Sequence, residues 1–197
     1  MAPGVKDEVL KLLDIEEFKE VVLQIQKTTA VAARAALVGH LLTLPGLTVH
    51  YDCGDPKTRV LSDFKEFEHN HERLTACKLA DHGYNVLFAP KGMFTRFGKR
   101  FDVYLCKGHI LLQADLKSLT TKNPDTIGQR IKGGSNQASR VVLDITSDIT
   151  ARVLIDGLKL GCKRNDTLVQ IILCYKNKCQ VLTKEQILSK KIFDLVK

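Results

Sequence analysis

Hydrophobic residues recur along the chain at two spacings, and these spacings predict its helices and strands. Val9, Leu12 and Leu13 begin a series at the three- and four-residue intervals of a helix that buries one face. Short stretches such as 47–51 alternate apolar and polar residues, as half-buried strands do. The predicted elements are helices over 5–27, 29–44, 62–81, 124–131, 150–158 and 184–196, and strands over 47–51, 84–89, 101–106, 109–117, 140–145, 168–174 and 180–182.

This order predicts an α+β fold: a small mixed or antiparallel sheet with flanking helices, preceded by a helical N-terminal region. We place the boundary so that residues 1–61 form the helical region and 62–197 the α+β domain. The helix over 29–44 is apolar around most of its circumference, so we expect a separable unit for assembly or delivery. The strand over 168–174 is the most hydrophobic, and we expect it at the centre of the sheet.

Charged residues interrupt the paired strands over 101–106 and 109–117. Gln113, Asp115 and Lys117 share one face of the second strand, and Asp102 lies on the opposite face from Val103. Asp115 and Lys117 therefore project to the same side of the sheet, about 7 Å apart along the strand. An exposed surface ion pair is one interpretation of this pattern.

Asp102, Asp115 and Lys117 follow a predicted helix that carries Glu68 and Glu72. This order resembles the pattern of restriction endonucleases: an acidic helix residue, then Asp, then an acidic residue two positions before Lys. Such chemistry needs two carboxylates for a divalent metal and a lysine that orients or activates water. Under this interpretation Asp102 and Asp115 bind Mg²⁺, and the protein is a metal-dependent DNase.

A metal-free ribonuclease needs a base for the 2′-hydroxyl proton and cations for the phosphate. The candidates for these roles are Lys117, His71, Arg140 and the hydroxyls of Thr120 and Thr121. Gln137 and Arg140 come just before the predicted strand 140–145, where their side chains can reach a cleft. This interpretation needs no cofactor and no metal.

Positive charge is concentrated in one quarter of the chain. The net charge is +8, and the segment 91–140 holds ten basic and three acidic residues. A polyanionic partner is the simplest use for such a segment. The residues that we expect to bind nucleic acid are Lys91, Arg96, Lys99, Arg100, Lys122, Arg130 and Lys132.

Six cysteines are scattered through apolar stretches without a C-x-x-C pair. We interpret them as reduced core residues of a cytoplasmic protein, and not as a disulfide framework or a zinc site. No apolar run reaches 18 residues, so we expect no membrane partner.

Several stretches together carry a resemblance to a known family. They are Leu-Ala-Asp-His-Gly-Tyr, Lys-Arg-Phe-Asp-Val-Tyr, Ala-Asp-Leu-Lys-Ser, Ile-Gly-Gln-Arg-Ile-Lys and Asn-Gln-Ala-Ser-Arg-Val-Val-Leu-Asp-Ile. Their order over about 64–183 resembles the C-terminal nuclease domains of contact-dependent growth-inhibition and phage-associated polymorphic toxins, in the barnase–EndoU–colicin–RelE-like superfamily. The most specific part is the Gln137–Asp144 run after the acidic-x-Lys strand.

That resemblance implies a metal-independent ribonuclease, often acting on tRNA, with an inhibitor (immunity) protein as a possible partner. RNA cleavage is therefore our leading expectation. The alternatives are the metal-dependent DNase and a non-catalytic nucleic-acid-binding module.

Overall fold

The computed structural model describes residues 12–52, 58–64, 69–95, 98–163 and 165–196. In those residues the chain forms seven helices and eight strands. The helices are α1 (Ile15–Lys27), α2 (Val31–Leu41), α3 (Asn70–Asp81), α4 (Pro124–Ser135), α5 (Ala151–Lys163), α6 (Lys184–Leu188) and α7 (Ile192–Leu195). The strands are β1 (Thr48–Asp52), β2 (Arg59–Ser62), β3 (Asn85–Phe88), β4 (Val103–Lys107), β5 (Ile110–Leu119), β6 (Arg140–Ile145), β7 (Gln170–Tyr175) and β8 (Lys178–Thr183).

All eight strands form one mixed sheet in which their order in space follows their order in the chain. The pairs β1–β2, β3–β4, β4–β5 and β7–β8 are antiparallel, and the other three pairs are parallel. Each parallel pair is joined through a helix: α3 connects β2 to β3, α4 connects β5 to β6, and α5 connects β6 to β7. A parallel connection needs such a crossover, whereas hairpin turns suffice for β4–β5 and β7–β8.

Helices cover the two faces of the sheet unequally. On one face, Ala76 and Leu79 of α3 pack with Val86, Leu105 and Leu116. On the other face, residues of α1 and α2 share a cluster with Leu87 and Tyr104, while residues of α4 and α5 pack on β6 and β7. Two helical layers therefore lie side by side on this second face, and they leave space between them.

The α4–α5 layer depends on close backbone approach. A Cβ atom added at Gly157 would lie 2.6 Å from Ile127, and one added at Gly161 would lie 2.7 Å from Ile131. Both isoleucines are fully buried. The glycines thus let α5 press directly on α4, which fixes α4 against the sheet.

The α+β class and the mixed sheet are confirmed, although the sheet is larger than expected. The predicted strand over 47–51 corresponds to β1, and β2 was not predicted. The helix expected from 62 begins at Asn70 in the structure, and residues 65–68 lie outside the described part. The helical N-terminal region is not clearly confirmed, because residues 1–61 contain α1 and α2 but also β1 and most of β2. The boundary after residue 61 stays a prediction.

Two expectations about the C-terminal hairpin are wrong. The strand predicted over 168–174 is β7, which is seventh of the eight strands and therefore not central. The cysteines are not all reduced: Cys174 and Cys179 face each other across β7–β8 with Cα atoms 4.1 Å apart, and they form a disulfide. The turn at Lys176-Asn177 makes Cys174 and Cys179 register partners on the two strands. Among the other described cysteines, all are free: Cys77, Cys106 and Cys162.

No helix in the described ranges is long and apolar enough to cross a membrane.

Candidate active site

Asp102 and Asp115 face each other across the β4–β5 hairpin. Val103 pairs with Ala114, so the antiparallel register extended by one residue puts Asp102 opposite Asp115. The backbone N–H of Asp102 donates to the carbonyl of Ala114, and Asp102 Oδ2 accepts a hydrogen bond of 2.7 Å from the N–H of Leu116. Directly opposed residues have Cβ atoms about 4.5–5.5 Å apart. Two carboxylates are therefore held together by backbone contacts on both strands.

Lys117 is the cation of this cluster. Its Nζ lies 2.5 Å from Oδ2 of Asp115, and it also donates to the carbonyl of Leu116 at 3.3 Å. The Asp115 side chain is fully buried, and the Lys117 side chain is 19% exposed. Neither Asp115 oxygen accepts a hydrogen bond of ordinary geometry within the described part of the chain. Lys117 therefore carries most of the compensation for this buried carboxylate.

The pKa of Asp115 is raised to about 7, first by burial and then by the charge of Asp102, while Lys117 opposes the shift. When both acids are ionised, the cluster has two negative charges and one positive charge. Like charges that face each other at short range destabilise the ionised state of one of them. One further positive charge at the site would therefore compensate for this surplus negative charge.

Gly134, near the end of α4, allows the helix to approach this cluster. A Cβ atom at Gly134 would lie 2.6 Å from Asp115 Oδ2 and 2.9 Å from Val141. The predicted Gly133-Gly134-Ser135 interruption is therefore the last turn of α4. Glycine at this position lets α4 bury Asp115.

Residues 99–181 match the model of a family described as the contact-dependent growth inhibition CdiA C-terminal domain. The resemblance suspected from the sequence is confirmed. Domains of the CdiA C-terminal family are toxin effectors, usually nucleases, and are paired with immunity proteins. No curated protein and no solved structure matches the chain. The matched segment contains Asp102, Asp115 and Lys117 together with α4, β7 and most of β8.

Gln137 lies in the α4–β6 connection, and Arg140 is the first residue of β6. Within the described residues, neither side chain forms a hydrogen bond or an ion pair with Asp102, Asp115 or Lys117. The Arg140 guanidinium donates to Gln170 Oε1 at 3.0 Å and to Ser139 Oγ at 3.4 Å. Partial burial lowers the pKa of this guanidinium from its ordinary value. Both side chains line a large groove that also reaches Tyr104 on β4.

The remaining candidates of the sequence analysis lie elsewhere. Thr120 is exposed and follows the end of β5. His71 is exposed in the first turn of α3 and stacks on His69, and α3 packs on the opposite face of the sheet from Asp115. The structure gives no support for a catalytic role of His71. Glu72 is on the same helix, and Glu68 lies outside the described residues.

The basic residues flank the cluster in sequence, and they are exposed wherever they are described. Lys99 and Arg100 come just before Asp102, and Lys132 comes two residues before Gly134. These three sit on the two segments that approach Asp115. Of the other candidates, Arg96 lies outside the described residues, and the exposed ones are Lys91, Lys122 and Arg130.

Sequence reasoning did not identify a second buried carboxylate, Asp144 on β6. Its oxygens accept hydrogen bonds from Lys78 Nζ at 2.8 and 3.0 Å and from Thr75 Oγ1 at 3.0 Å. Both donors are on α3, so this ion pair lies on the other face of the sheet from Asp115. An acidic residue inside the apolar run Val141–Ile145 was the available signal.

Proposed function

We propose that this chain is a toxin-type nuclease that cleaves RNA, with Asp102, Asp115 and Lys117 as its catalytic groups and a divalent cation as its cofactor. The observation that carries the proposal is the opposition of Asp102 and Asp115 across β4–β5, with Lys117 as their shared cation. Asp102, Asp115 and Lys117 must lie close together if the acidic-x-Lys pattern marks a catalytic site. In the metal-free interpretation Asp115 positions Lys117, whereas the metal-dependent interpretation uses both carboxylates directly.

The oxygens of the cluster suit a hard cation such as Mg²⁺. Asp102 and Asp115 supply carboxylate oxygens, and the Leu116 carbonyl lies beside Lys117 Nζ. Lys117 Nζ thus contacts a carboxylate oxygen and a carbonyl oxygen, which are the kinds of oxygen that bind Mg²⁺. Among the described residues no group of three or more His, Cys, Asp or Glu forms a metal site, so phosphate and water would complete the coordination. A bound ion would polarise the phosphate and lower the pKa of an attacking water.

Lys117 has the position of a group that changes partner during the reaction. In the free protein its ammonium neutralises Asp115 at 2.5 Å. With a cation held by the two carboxylates, the Lys117 ammonium would be free to donate to the scissile phosphate or to orient the attacking water. Its 19% exposure gives it access to solvent, which buried Asp115 does not have.

RNA is the proposed substrate for two reasons. Lys99, Arg100 and Lys132 provide exposed positive charge on the segments next to the cluster, which suits a polyanion. The resemblance to the polymorphic toxins favours RNA, and tRNA in particular, over DNA. DNA cleavage is the outcome that would favour the restriction-endonuclease interpretation.

The deciding experiment incubates the protein with a total tRNA fraction and with plasmid DNA, each in Mg²⁺ and in EDTA. We expect RNA cleavage in Mg²⁺ only. Asp102→Asn should abolish cleavage as fully as EDTA does, because the amide keeps the side-chain volume and an acceptor for Leu116 N–H but removes the charge. The matched control is Asp156→Asn, the same change at an exposed position of α5.

Each other result selects a different conclusion. Cleavage that resists EDTA but is lost in Lys117→Ala would restore the metal-free ribonuclease. Cleavage of DNA alone would identify a DNase. Absence of cleavage on either substrate, with RNA binding intact, would leave a binding module.

A further inference from the structure

A groove of about 1170 Å³ lies on the face of the sheet that carries Asp115, between the two helical layers. One wall is α1, with Lys19, Val22 and Leu23, and the other is the α4–β6 connection. Tyr104 and Gln113 form its floor, and they are register partners on β4 and β5. We propose that this groove binds one unstacked nucleotide beside the scissile phosphate, so that the substrate is a single-stranded or looped segment of RNA. This inference rests on the proposed nuclease function.

The groove is adjacent to the catalytic cluster. Gln113 comes two residues before Asp115 on the same face of β5, about 7 Å away along the strand. At the other wall, Ser135 lines the groove and follows Gly134, which touches Asp115. A nucleotide in the groove would therefore have its phosphate at the cluster.

The lining combines an apolar part with a hydrogen-bonding part. Met93 and Phe94 contribute apolar surface, and the Phe94 side chain is 48% exposed. Gln113, Asn136 and Gln137 contribute side-chain amides, which can both donate and accept. An unstacked base has a π face that stacks on aromatic or apolar groups and an edge that needs such donors and acceptors.

The Tyr104 hydroxyl is a buried polar group that could bind a ligand. Its ring is fully buried, and its hydroxyl forms no hydrogen bond of ordinary geometry within the described residues. The polar neighbour that acts on this hydroxyl is Gln113, and burial raises the pKa of Tyr104 to about 12. The hydroxyl thus stays protonated and can donate. Buried polar groups without partners are rare, and a ligand acceptor would satisfy this one.

Charge favours a phosphate-bearing ligand. Lys19, Lys99 and Arg140 line the groove, whereas Asp166 is its one acidic residue among those described. Arg140 is held in place by Gln170 and Ser139. Side-chain amides and an aromatic ring beside this positive charge suit a nucleotide better than an acidic protein surface, which would need no pocket for a base.

The test measures binding by fluorescence anisotropy to the Asp115→Asn variant in EDTA, a combination in which we expect negligible cleavage of the probe. The probes are a short single-stranded RNA oligonucleotide and a duplex of the same sequence. We expect the single strand to bind at least about tenfold more tightly. Phe94→Ala should weaken its binding about tenfold, and Tyr104→Phe, which removes only the hydroxyl, by several-fold. Neither change should alter the binding of the duplex.

The matched control is Phe193→Ala on α7, because Phe193 is 46% exposed, nearly the same as Phe94, and does not line the groove. Equal binding of single strand and duplex would overturn the inference, as would unchanged binding by Phe94→Ala and Tyr104→Phe. If Phe94→Ala and Tyr104→Phe bound RNA normally but no longer bound an inhibitor protein, that result would also overturn the inference and assign the groove to the inhibitor protein. The cleavage assay tests the proposed function separately: that function fails if the wild-type protein cleaves no RNA or cleaves it equally well in EDTA.

Discussion

Asp115 on β5 and Asp144 on β6 are both buried carboxylates on neighbouring strands, and both pair with a lysine. Asp144 accepts three hydrogen bonds, from Lys78 and Thr75, so its charge is well compensated by α3. Asp115 has Lys117 on one side and the like charge of Asp102 on the other. A buried ion pair whose charges are fully hydrogen-bonded can hold two parts of a fold together. A buried ion pair beside a second carboxylate has surplus negative charge, which is unfavourable unless a ligand compensates it.

The difference suggests how functional charge can be separated from structural charge in this molecule. Lys78 and Thr75 tie α3 to β6 over a sequence separation of more than 60 residues. Asp102, Asp115 and Lys117 come from one hairpin, and the polar contacts among them join only residues of that hairpin. The second group thus supplies no long-range polar contact in the described chain, which fits the catalytic role that we propose.

The largest expected contrast is in activity. Asp115→Asn should lower the rate of RNA cleavage by about 10³-fold, because it removes a ligand of the cation. Asp144→Asn should leave the rate nearly unchanged but lower the free energy of unfolding by about 1–3 kcal/mol, since Lys78 is 39% exposed and can return to water. Single-turnover cleavage and urea unfolding measure the two effects. If Asp144→Asn also abolished cleavage well below its melting temperature, the division between the two carboxylates would be wrong.

The hairpin that holds the cluster could be predicted from the sequence. Strand alternation put Asp115 and Lys117 on one face, and the sequence placed Asp102 on the neighbouring strand. The turn expected at Lys107-Gly108 is formed by Gly108 and His109 in the structure, and this register brings Asp102 opposite Asp115. Both features depend on residues near one another in the chain. Gly108, at φ 58°, allows this tight turn.

The surroundings of the hairpin could not be predicted, because they depend on distant segments. The burial of Asp115 requires α4 to continue through Gly133 and Gly134, where helix propensity favours a break. The groove floor at Tyr104 depends on α1, about 80 residues earlier in the chain. The Cys174–Cys179 disulfide was missed because cysteine spacing was considered without the hairpin register.

The second contrast is in the pH dependence of stability. Because the pKa of Asp115 rises from 3.8 to about 7 on folding, the folded state holds a proton that the unfolded state has lost between those values. This contribution therefore makes the protein less stable as pH rises from about 4 to about 7, by up to roughly 4 kcal/mol. Asp115→Asn should remove that decline, whereas Asp144→Asn should keep it.

Urea unfolding in EDTA at pH 5 and pH 8 gives the measurement, and subtracting the Asp115→Asn values cancels the other titrating groups. The variant should gain stability relative to wild type at pH 8. A wild type that gained stability over this interval, compared with the variant, would show that folding does not raise the pKa of Asp115.

The smallest expected effect concerns the disulfide next to Asp144. Cys174 pairs in register with Asp144 on β6 and bonds to Cys179 on the edge strand β8. With Lys78, these residues line a cavity of about 310 Å³ on the face opposite Asp102, Asp115 and Lys117. Reduction frees only a short hairpin loop, so we expect a loss of about 2 kcal/mol or less in the free energy of unfolding and no change in cleavage rate.

The measurement compares unfolding and cleavage with and without dithiothreitol. The control is the Cys174→Ser/Cys179→Ser double variant, which should not respond to the reagent. A cleavage rate that fell on reduction while the protein stayed folded would mean that the two faces of the sheet are coupled, and Asp144 would then belong to the functional half of the comparison.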